Sequence, residues 1–327
     1  MRIFWAAVLA GLLGLGISAY VWLHQPLALS GATVDLSVEP GKSAREVALE
    51  VVQSGASVNP SLLYWWFRLS GDSRQIRAGS YELETGVTPR SLLRKLVRGE
   101  EALRSVTLVE GWTFRQVQDA LRKAEQLKPQ TQGMEPAAIM QQLGMPGVAA
   151  EGRFFPDTYT YSKGSSDLAL LLRAAHAMDK HLASAWSQRA VESPLQTPEQ
   201  ALILASIIEK ETGKPADRPM VASVFNNRLR IGMRLQTDPT VIYGLGESFD
   251  GNLRKRDLLA DTPWNTYTRA GLPPTPIAMP GKASLLAAVQ PAASKAFYFV
   301  ARGDGTSVFS VTLDEHNRAV NKYQRGQ

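Results

Sequence analysis

The stretch TPEQALILASIIEKET, Thr197–Thr212, decides how the larger part of the chain folds. Thr197 followed by Pro198 marks the start of a helix, and Gln200 completes a capping box with Thr197. At 100° per residue, one face of this helix carries an apolar stripe and one carboxyl, namely Leu204, Ile207, Ile208 and Glu211. Glu209 points away from that face. The sequence therefore predicts a core helix that ends in a carboxyl group on its apolar side.

Glu211 has the features of a general acid. Burial against hydrocarbon disfavours the ionised form of a carboxyl and raises its pKa. A carboxyl that stays protonated near neutral pH can protonate a glycosidic oxygen, which is too basic to leave unaided. Periodicity alone equally allows a structural alternative, in which Glu211 lies at a fraying helix end and pairs with a lysine or an arginine.

The N-terminal segment IFWAAVLAGLLGLGISAYVWL, Ile3–Leu23, has 21 residues and no charge. At a rise of 1.5 Å per residue it is long enough to cross a bilayer. A cleavable signal peptide is the alternative, but its apolar region would be shorter, and no small-x-small cleavage site follows Leu23. Arg2 and the amino terminus favour a cytoplasmic N-terminus. We therefore expect a single-pass anchor over residues 1–24 and an exported remainder.

Composition excludes several classes of function. The 327 residues include no cysteine, which excludes disulfides, zinc ribbons, iron–sulfur clusters and thiol catalysis. The four histidines are scattered, and neither a Gly-x-Ser-x-Gly elbow nor a phosphate-binding loop is present. We therefore expect no metal and no other cofactor. The formal net charge of +6 is compatible with an anionic partner or with none, and export argues against nucleic acid.

Residues 33–100 predict a small module of strand, helix, helix and strand. Apolar alternation predicts strands at 34–38 and 79–83. Between them, a Ser43–Glu46 capping box and an Asn59-Pro60 start predict two helices. This order is similar to that of LysM-like modules, which commonly bind glycans that contain N-acetylglucosamine. A spacer that holds the remaining chain off the membrane would have the same layout.

Residues 101–327 mix helices with short strands, so we expect an α+β fold. Helices start at Thr88-Pro89 and at Thr113, and the polar stretch 125–135 predicts a loop or a lid. Strands are predicted at 106–109, 297–301 and 307–310.

Two further stretches carry side chains that suit a saccharide groove. LQTDPTVIYG, 235–244, crowds short polar side chains into a turn, and WNTY, 264–267, places two aromatics and an amide near the rigid turn GLPP, 271–274. Aromatic faces stack on pyranose rings while amides bind their hydroxyls. Polar turns are common, however, and core packing of Trp264 and Tyr267 explains the second stretch equally well.

Taken in order, several stretches resemble the YceG-like family of endolytic murein transglycosylases, the MltG proteins. The resemblance extends over nearly the whole chain beyond the anchor, and an ordered set of long motifs is far more specific than one short pattern. The matching stretches are VEG (109–111), EGRFFPDTY (151–159), ASIIEKET (205–212), VASVFNNRL (221–229), MRLQTDPTVIYG (233–244), NTY (265–267), GLPP (271–274) and EHN (315–317).

The resemblance implies an anchor in the inner membrane, a LysM-like subdomain over 33–100 and a periplasmic YceG-like catalytic domain over 101–327. It also implies a lyase that cleaves the β-1,4 bond between N-acetylmuramic acid and N-acetylglucosamine inside nascent peptidoglycan strands. The cleavage is non-hydrolytic, leaves a 1,6-anhydro end and terminates strand elongation. The implied partners are glycan strands and, beside them, the synthases that extend the strands.

In the family, the second glutamate of the Glu-Lys-Glu-Thr run is catalytic, which carries over to Glu211. One residue would act first as acid and then as base, so no second catalytic carboxylate is assigned. Two positions depart from the family pattern: Trp264 stands where a tyrosine is often seen, and Gln290 stands where a histidine often precedes proline. We expect the substrate to be bound by Glu151, Gln236, Asp238, Thr240, Tyr243, Asn265 and Tyr267.

Two other functions remain open at this point. One is a non-catalytic, membrane-anchored scaffold that binds peptidoglycan through its LysM-like part and recruits synthases. The other is a muramidase that uses water and leaves reducing ends, for which a second carboxylate would ordinarily be needed.

Overall fold

The computed structural model describes residues 1–326, with the side chains of all of them except Arg2 and Ile3. It divides into two compact units, of which the first comprises Met1–Arg104 and Thr160–Gly164 and the second comprises Ser105–Tyr159 and the chain from Ser165 onward. Both units combine helices with short two-stranded sheets, so the predicted α+β class is confirmed. No sequence signal indicated that Thr160–Gly164 would join the first unit.

The first unit begins with helix α1, Arg2–His24. Its segment Phe4–His24 has 21 residues and a mean hydropathy of 1.9, and it is the one helix of the described chain that is long and apolar enough to cross a membrane. The charge of Arg2, which the topology prediction uses, lies outside the described side chains.

The predicted order of strand, helix, helix and strand is present in the first unit. The two outer strands pair antiparallel from Thr33 opposite Glu84 to Val38 opposite Gly79. A second short pair joins Ala28–Leu29 and Ala56–Ser57. The likeness to LysM modules remains a prediction. The elements are β1 (Ala28–Leu29), β2 (Thr33–Val38), α2 (Ala44–Gln53), β3 (Ala56–Ser57), α3 (Pro60–Leu69), β4 (Gly79–Glu84) and α4 (Pro89–Arg98).

Local sequence explains these elements. The Ser43–Glu46 capping box opens α2, and the Asn59 side chain accepts the first N–H groups of α3. Helix α4 ends at Gly99, whose φ of 68° places it in the left-handed region that favours glycine. The unit closes over a core of buried apolar side chains that includes Leu36, Val47, Leu63, Phe67, Tyr81, Leu83 and Leu92.

The division between the units falls within strands β5 (Leu103–Thr107) and β6 (Thr158–Ser162), which pair with each other. Strand β5 begins and ends earlier than the predicted 106–109, and the chain then turns at Gly111, which has a φ of 78°. The other elements are α5 (Phe114–Lys123), α6 (Pro136–Gln142), α7 (Asp167–Trp186), α8 (Pro198–Glu211), α9 (Arg218–Arg230), α10 (Asp238–Leu245), α11 (Lys255–Leu259), α12 (Lys282–Val289), β7 (Tyr298–Ala301), β8 (Ser307–Ser310) and α13 (Leu313–Gln324).

Helix α8 is the centre of the second unit. It contacts α7, α9, α10 and α12, and every residue from Ala201 to Ile208 is buried. The predicted apolar stripe is therefore too narrow, because other helices cover the remaining faces as well. The predicted capping box is half formed: Thr197 accepts the N–H of Gln200, but the Gln200 side chain accepts from Gln196.

The stretch 125–135 contains no helix or strand, which confirms the loop prediction. The buried carboxylate of Asp167, the first residue of α7, accepts the N–H groups of Gln130 and Thr131 at 2.9 and 3.1 Å. The Thr131 hydroxyl donates to the same carboxylate at 2.6 Å. These bonds tie the middle of the loop to the body of the second unit.

Candidate active site

Helix α8 carries the candidate catalytic carboxyl on its last residue, Glu211. The helix ends there because Thr212 adopts an extended conformation, with φ −89° and ψ 101°. The N–H and the hydroxyl of Thr212 both donate to the carbonyl oxygen of Ile208, at 3.1 and 2.7 Å. These bonds hold the last turn closed, so Glu211 does not lie at a fraying end.

Glu211 is half-buried at the end of α8. The hydroxyl of Thr237 donates to its Oε1 atom, and within residues 1–326 Glu211 forms no ion pair. Burial raises the pKa of Glu211, as does the nearby charge of Asp238, whereas the Thr237 hydrogen bond and the Arg228 charge lower it. Burial is the largest of these effects. The net effect is a raised pKa, which is the direction that the sequence predicts.

Three buried threonines hold in place the backbone that carries the Thr237 hydroxyl. The Thr240 hydroxyl donates to the Thr237 carbonyl at 2.8 Å, so the Thr266 hydroxyl, 2.9 Å away, donates to Thr240. Thr266 in turn accepts the Thr237 N–H at 3.1 Å. The Thr237 hydroxyl donates to Oε1, which leaves Oε2 as the oxygen that carries the proton in the acid form of Glu211.

Arg228, on α9, holds the loop that leads to Thr237. This arginine is 7% exposed, and its guanidinium donates to the carbonyl oxygens of Leu235 at 2.6 Å and Phe297 at 2.7 Å. The guanidinium also lies over the ring of Tyr298, 5.4 Å from its centroid. The buried guanidinium of Arg228 therefore holds the backbone before Thr237 in place and keeps a positive charge near Glu211.

Three of the predicted substrate-binding residues flank the contact between Thr237 and Glu211. Gln236 is exposed and has a φ of 49°, a left-handed conformation that is uncommon for residues with side chains. Asp238 is exposed too, and its Oδ1 accepts the hydroxyl of half-buried Tyr267 at 2.5 Å. Burial and this hydrogen bond raise the pKa of Tyr267.

Glu209 lies on the same helix end but has different partners. Its side chain is 8% exposed, pairs with Arg218 at 3.7 Å and accepts the N–H of Gly281 at 2.9 Å. A cation and an N–H donor both stabilise a carboxylate. Periodicity distinguishes Glu209 from Glu211 by the helix face on which each lies. The structure distinguishes them by their partners, which are Arg218 and Gly281 for Glu209 and Thr237 for Glu211.

A cavity of about 1150 Å³ opens beside the ends of α8 and α10. Its lining includes Lys210 and Pro239, which are the sequence neighbours of Glu211 and Asp238. Small-molecule pockets commonly measure about 300–1,000 Å³, so this one is large enough for several sugar rings. Other lining residues include Phe114, Glu151, Ile242, Tyr243, Phe249, Trp264 and Thr275.

Glu151 lies in the wall of this cavity, apart from the Thr237–Glu211 contact. It is 8% exposed, and its two carboxyl oxygens accept the N–H of Phe114 at 3.0 and 3.2 Å. The hydroxyl of Tyr243 also bonds to it. Burial, the largest effect, raises the pKa of Glu151 to about 7. The ring of Tyr243 meets that of Trp264 edge to face, with centroids 5.6 Å apart.

The last two predicted binding residues, Thr240 and Asn265, have no exposed surface. The Asn265 amide donates to the carbonyl oxygens of Leu258 and Ala260 at 3.1 and 2.6 Å, and its Oδ1 accepts the N–H of Tyr267 at 2.8 Å. In this structure both side chains hold the surrounding loops in place, and neither faces solvent.

The model of the YceG-like family matches residues 36–322. The chain belongs to the YceG-like family. It is 30% identical over 311 residues to a protein of Bacillus subtilis (strain 168) named endolytic murein transglycosylase, with 90% of this chain and 86% of the relative covered. A Streptococcus pneumoniae serotype 2 protein of the same name is 25% identical and covers 88% of this chain, which spans 58% of that relative.

A YceG-like protein from Listeria monocytogenes with a 2.6 Å crystal structure is similar in three dimensions. The TM-score is 0.55 at 29% sequence identity, and the match covers 88% of this chain and 98% of that one.

Two YceG-like motifs meet at the end of α8. The Gly111 N–H donates to the carbonyl of Met279 at 2.8 Å, and Lys210 Nζ donates to the Gly111 carbonyl at 3.3 Å. On α9, the amide of Asn227 binds the carbonyl oxygen of Ala296 at 2.9 Å. The VEG and EKET motifs of this YceG-like chain therefore contact each other, and Asn227 of the FNNR motif holds the segment before β7. No group of three metal-ligating side chains comes together within residues 1–326.

Sequence reasoning missed Thr237, Thr266 and Arg228 as site residues. One signal for Arg228 was present: it follows Val221, Val224 and Phe225 at the spacing that singled out Glu211. In both helices of this YceG-like chain, the apolar stripe ends in an ionisable side chain that the fold shields from solvent, half-buried Glu211 and buried Arg228. The threonines carry no such signal, because hydroxyls are common in turns.

Proposed function

We propose that this protein is an endolytic murein transglycosylase in which Glu211 is the single catalytic acid and base. The observation that carries the proposal is the state of Glu211: a half-buried carboxyl with a raised pKa and one oxygen held by Thr237, next in sequence to Lys210, which lines a cavity of about 1150 Å³. The names of the relatives in Bacillus subtilis and Streptococcus pneumoniae support the same activity.

In the first step, the proton on Glu211 Oε2 moves to the glycosidic oxygen between N-acetylmuramic acid and N-acetylglucosamine. The bond between that oxygen and C1 of the muramyl ring breaks, and the N-acetylglucosamine side leaves with a new hydroxyl. Negative charge develops on Glu211 as the proton leaves. The Thr237 hydroxyl and the Arg228 charge stabilise it.

In the second step, the Glu211 carboxylate takes the proton of the muramyl 6-hydroxyl as that oxygen bonds to C1. The product is a 1,6-anhydro end, no water is consumed, and Glu211 is protonated again. Asp238, with Tyr267 donating to it, and exposed Gln236 provide groups beside the reacting bond that bind sugar hydroxyls. Glu151 and Tyr243 bind the strand farther along the cavity, while Thr240 and Asn265 act by holding these loops.

The setting we propose is the periplasmic face of the inner membrane. Helix α1 would be the single-pass anchor, and the second unit would act on nascent glycan strands close to the synthases that extend them, so that each cut limits strand length. The length and apolar character of α1 support the anchor.

The test is mass spectrometry of the products formed from uncrosslinked glycan strands, comparing the wild type with Glu211→Gln and Glu209→Gln. Loss of the general acid should lower anhydro-product formation about 10²–10⁴-fold in Glu211→Gln. Glu209→Gln is the matched control, since it changes a neighbouring buried carboxyl that Arg218 already neutralises. It should keep most of the activity.

Equal loss in both variants would refute the special role of Glu211. Reducing muramyl ends in place of anhydro ends would identify a hydrolase. Intact strands with every folded, glycan-binding variant would favour the non-catalytic scaffold.

A further inference from the structure

Helix α3 of the first unit has one buried and one exposed apolar face. Leu63 and Phe67 are completely buried in the core. Leu62, Trp65 and Leu69 are 52%, 54% and 78% exposed, and their spacing places them on one face of the helix. A contiguous exposed apolar face of this kind marks contact with another molecule or with a membrane.

The exposed face of α3 borders the end of α1. Trp66 lies between the two faces of α3, and its indole N–H donates to the carbonyl of Pro89 at 3.1 Å. The next residue, Arg90, lies 3.0 Å from the ring nitrogen Nε2 of His24, the last residue of α1. Two contacts therefore connect the edge of the exposed face to the point where the chain leaves the apolar helix.

The surface next to this face is basic. Helix α4, PRSLLRKLVR, contains four cationic residues and no acidic one. Arg90, Arg94 and Arg98 are exposed and follow one another at a spacing of four, along one side of α4. Tryptophan and leucine beside arginine are typical of helices in the bilayer interface, where cations attract anionic headgroups.

We propose that the face of α3 formed by Leu62, Trp65 and Leu69 rests on the outer surface of the bilayer that α1 enters. The lipid surface is the occupant because the face is continuous with the exit of α1 and is bordered by cations. This inference rests on the anchoring role proposed for α1. It assigns the first unit a second membrane contact, which fixes how that unit is oriented against the membrane.

The absence of cysteine makes the test direct, because one introduced cysteine accepts one fluorophore. The full chain is reconstituted in bilayers of phosphatidylethanolamine and phosphatidylglycerol, with or without brominated acyl chains that quench on contact. Leu69→Cys and Leu62→Cys probe the face. Val21→Cys in α1, 56% exposed, probes the anchor.

Glu39→Cys is the control in water. Glu39 has a side chain that is 73% exposed and follows the end of β2 that is farther from α4. Thr85 bonds to Ala32, the residue just before β2, and lies three residues before Thr88, the N-cap of α4. The start of β2 is therefore the end that is nearer to α4. At about 3.4 Å per residue, β2 separates its two ends by roughly 17–20 Å.

We expect brominated lipid to quench the labels at positions 69 and 62 about threefold more than the label at 39, because an interfacial helix buries its apolar face about 5–10 Å deep. Quenching at 21 with none at 69 and 62 would overturn the surface contact while leaving the anchor intact. No quenching at 21 would overturn both. Labels at 69 and 62 that are shielded from water but not quenched by lipid would identify a protein partner or a second copy, and would also overturn the proposal.

Discussion

Replacing Thr237 with valine tests whether its hydroxyl stabilises the negative charge that Glu211 acquires. Valine keeps the shape of the side chain and removes the donor to Oε1. Thr237 is 2% exposed, so water does not substitute for the lost hydroxyl. The carboxylate form of Glu211 is then less stable, and the pKa of Glu211 rises further.

The size of the effect follows from the type of hydrogen bond. A hydrogen bond to a charged group contributes about 1.5–3 kcal/mol. At 1.36 kcal/mol per tenfold change in rate, Thr237→Val should lower kcat/KM by about 10- to 150-fold where the charge is fully developed. Because the acid form persists to higher pH, the alkaline limb of the pH profile should move upward.

The assay is the initial rate of anhydro-end formation from uncrosslinked strands, measured from about pH 5 to about pH 9. Thr237→Ser keeps the hydroxyl and should retain most of the rate together with the alkaline limb of the wild type. A Thr237→Val protein with the rate and pH profile of the wild type would refute the reasoning, and so would a serine variant as impaired as the valine one.

Two further predictions concern stability. The folded-state pKa of Glu151, about 7, lies above the ordinary 4.5. Protonated Glu151 therefore contributes about 3 kcal/mol to the free energy of unfolding. This contribution is complete below about pH 4.5 and is lost as the pH rises through about 7. Glu151→Gln should remove that decline from the pH dependence of the thermal midpoint, and an unchanged decline would show that other groups cause it. Gly152→Ala places a Cβ 2.5 Å from Pro276 at a φ of +78°, whereas Gly147→Ala has a φ of +77° and open space. Both variants should lose about 1 kcal/mol of unfolding free energy, because alanine is strained in the left-handed conformation. Denaturant unfolding should show a larger loss for Gly152→Ala, because its Cβ also clashes with Pro276. Equal losses would mean that Pro276 moves aside at no energetic cost.

The elements with strong local signals were predictable from sequence. Capping boxes and Asn-Pro or Thr-Pro starts identified α2, α3, α4 and α5, because each signal is a hydrogen bond made within four residues. Gln200 is the exception: its side chain binds Gln196, one residue before the predicted partner.

The site was predictable where one helix carried the information and not where distant segments meet. The apolar face that ends at Glu211 is a property of one helix. The bond from Thr237 and the threonine chain behind it depend on loops that come together only in the folded protein. Glu209 illustrates the limit, because its burial arises from Arg218 and Gly281, which the helix sequence does not contain.

The hydrogen bond from Thr237 to Glu211 has a consequence for the movement of protons in the proposed reaction. Oε1 of Glu211 is occupied by Thr237, so the proton must depart from Oε2 and return to Oε2. Donor and recipient are the same atom, and each cycle restores the starting state with no net uptake or release of a proton. Successive cuts along a strand would then proceed independently of the buffering capacity of the surroundings.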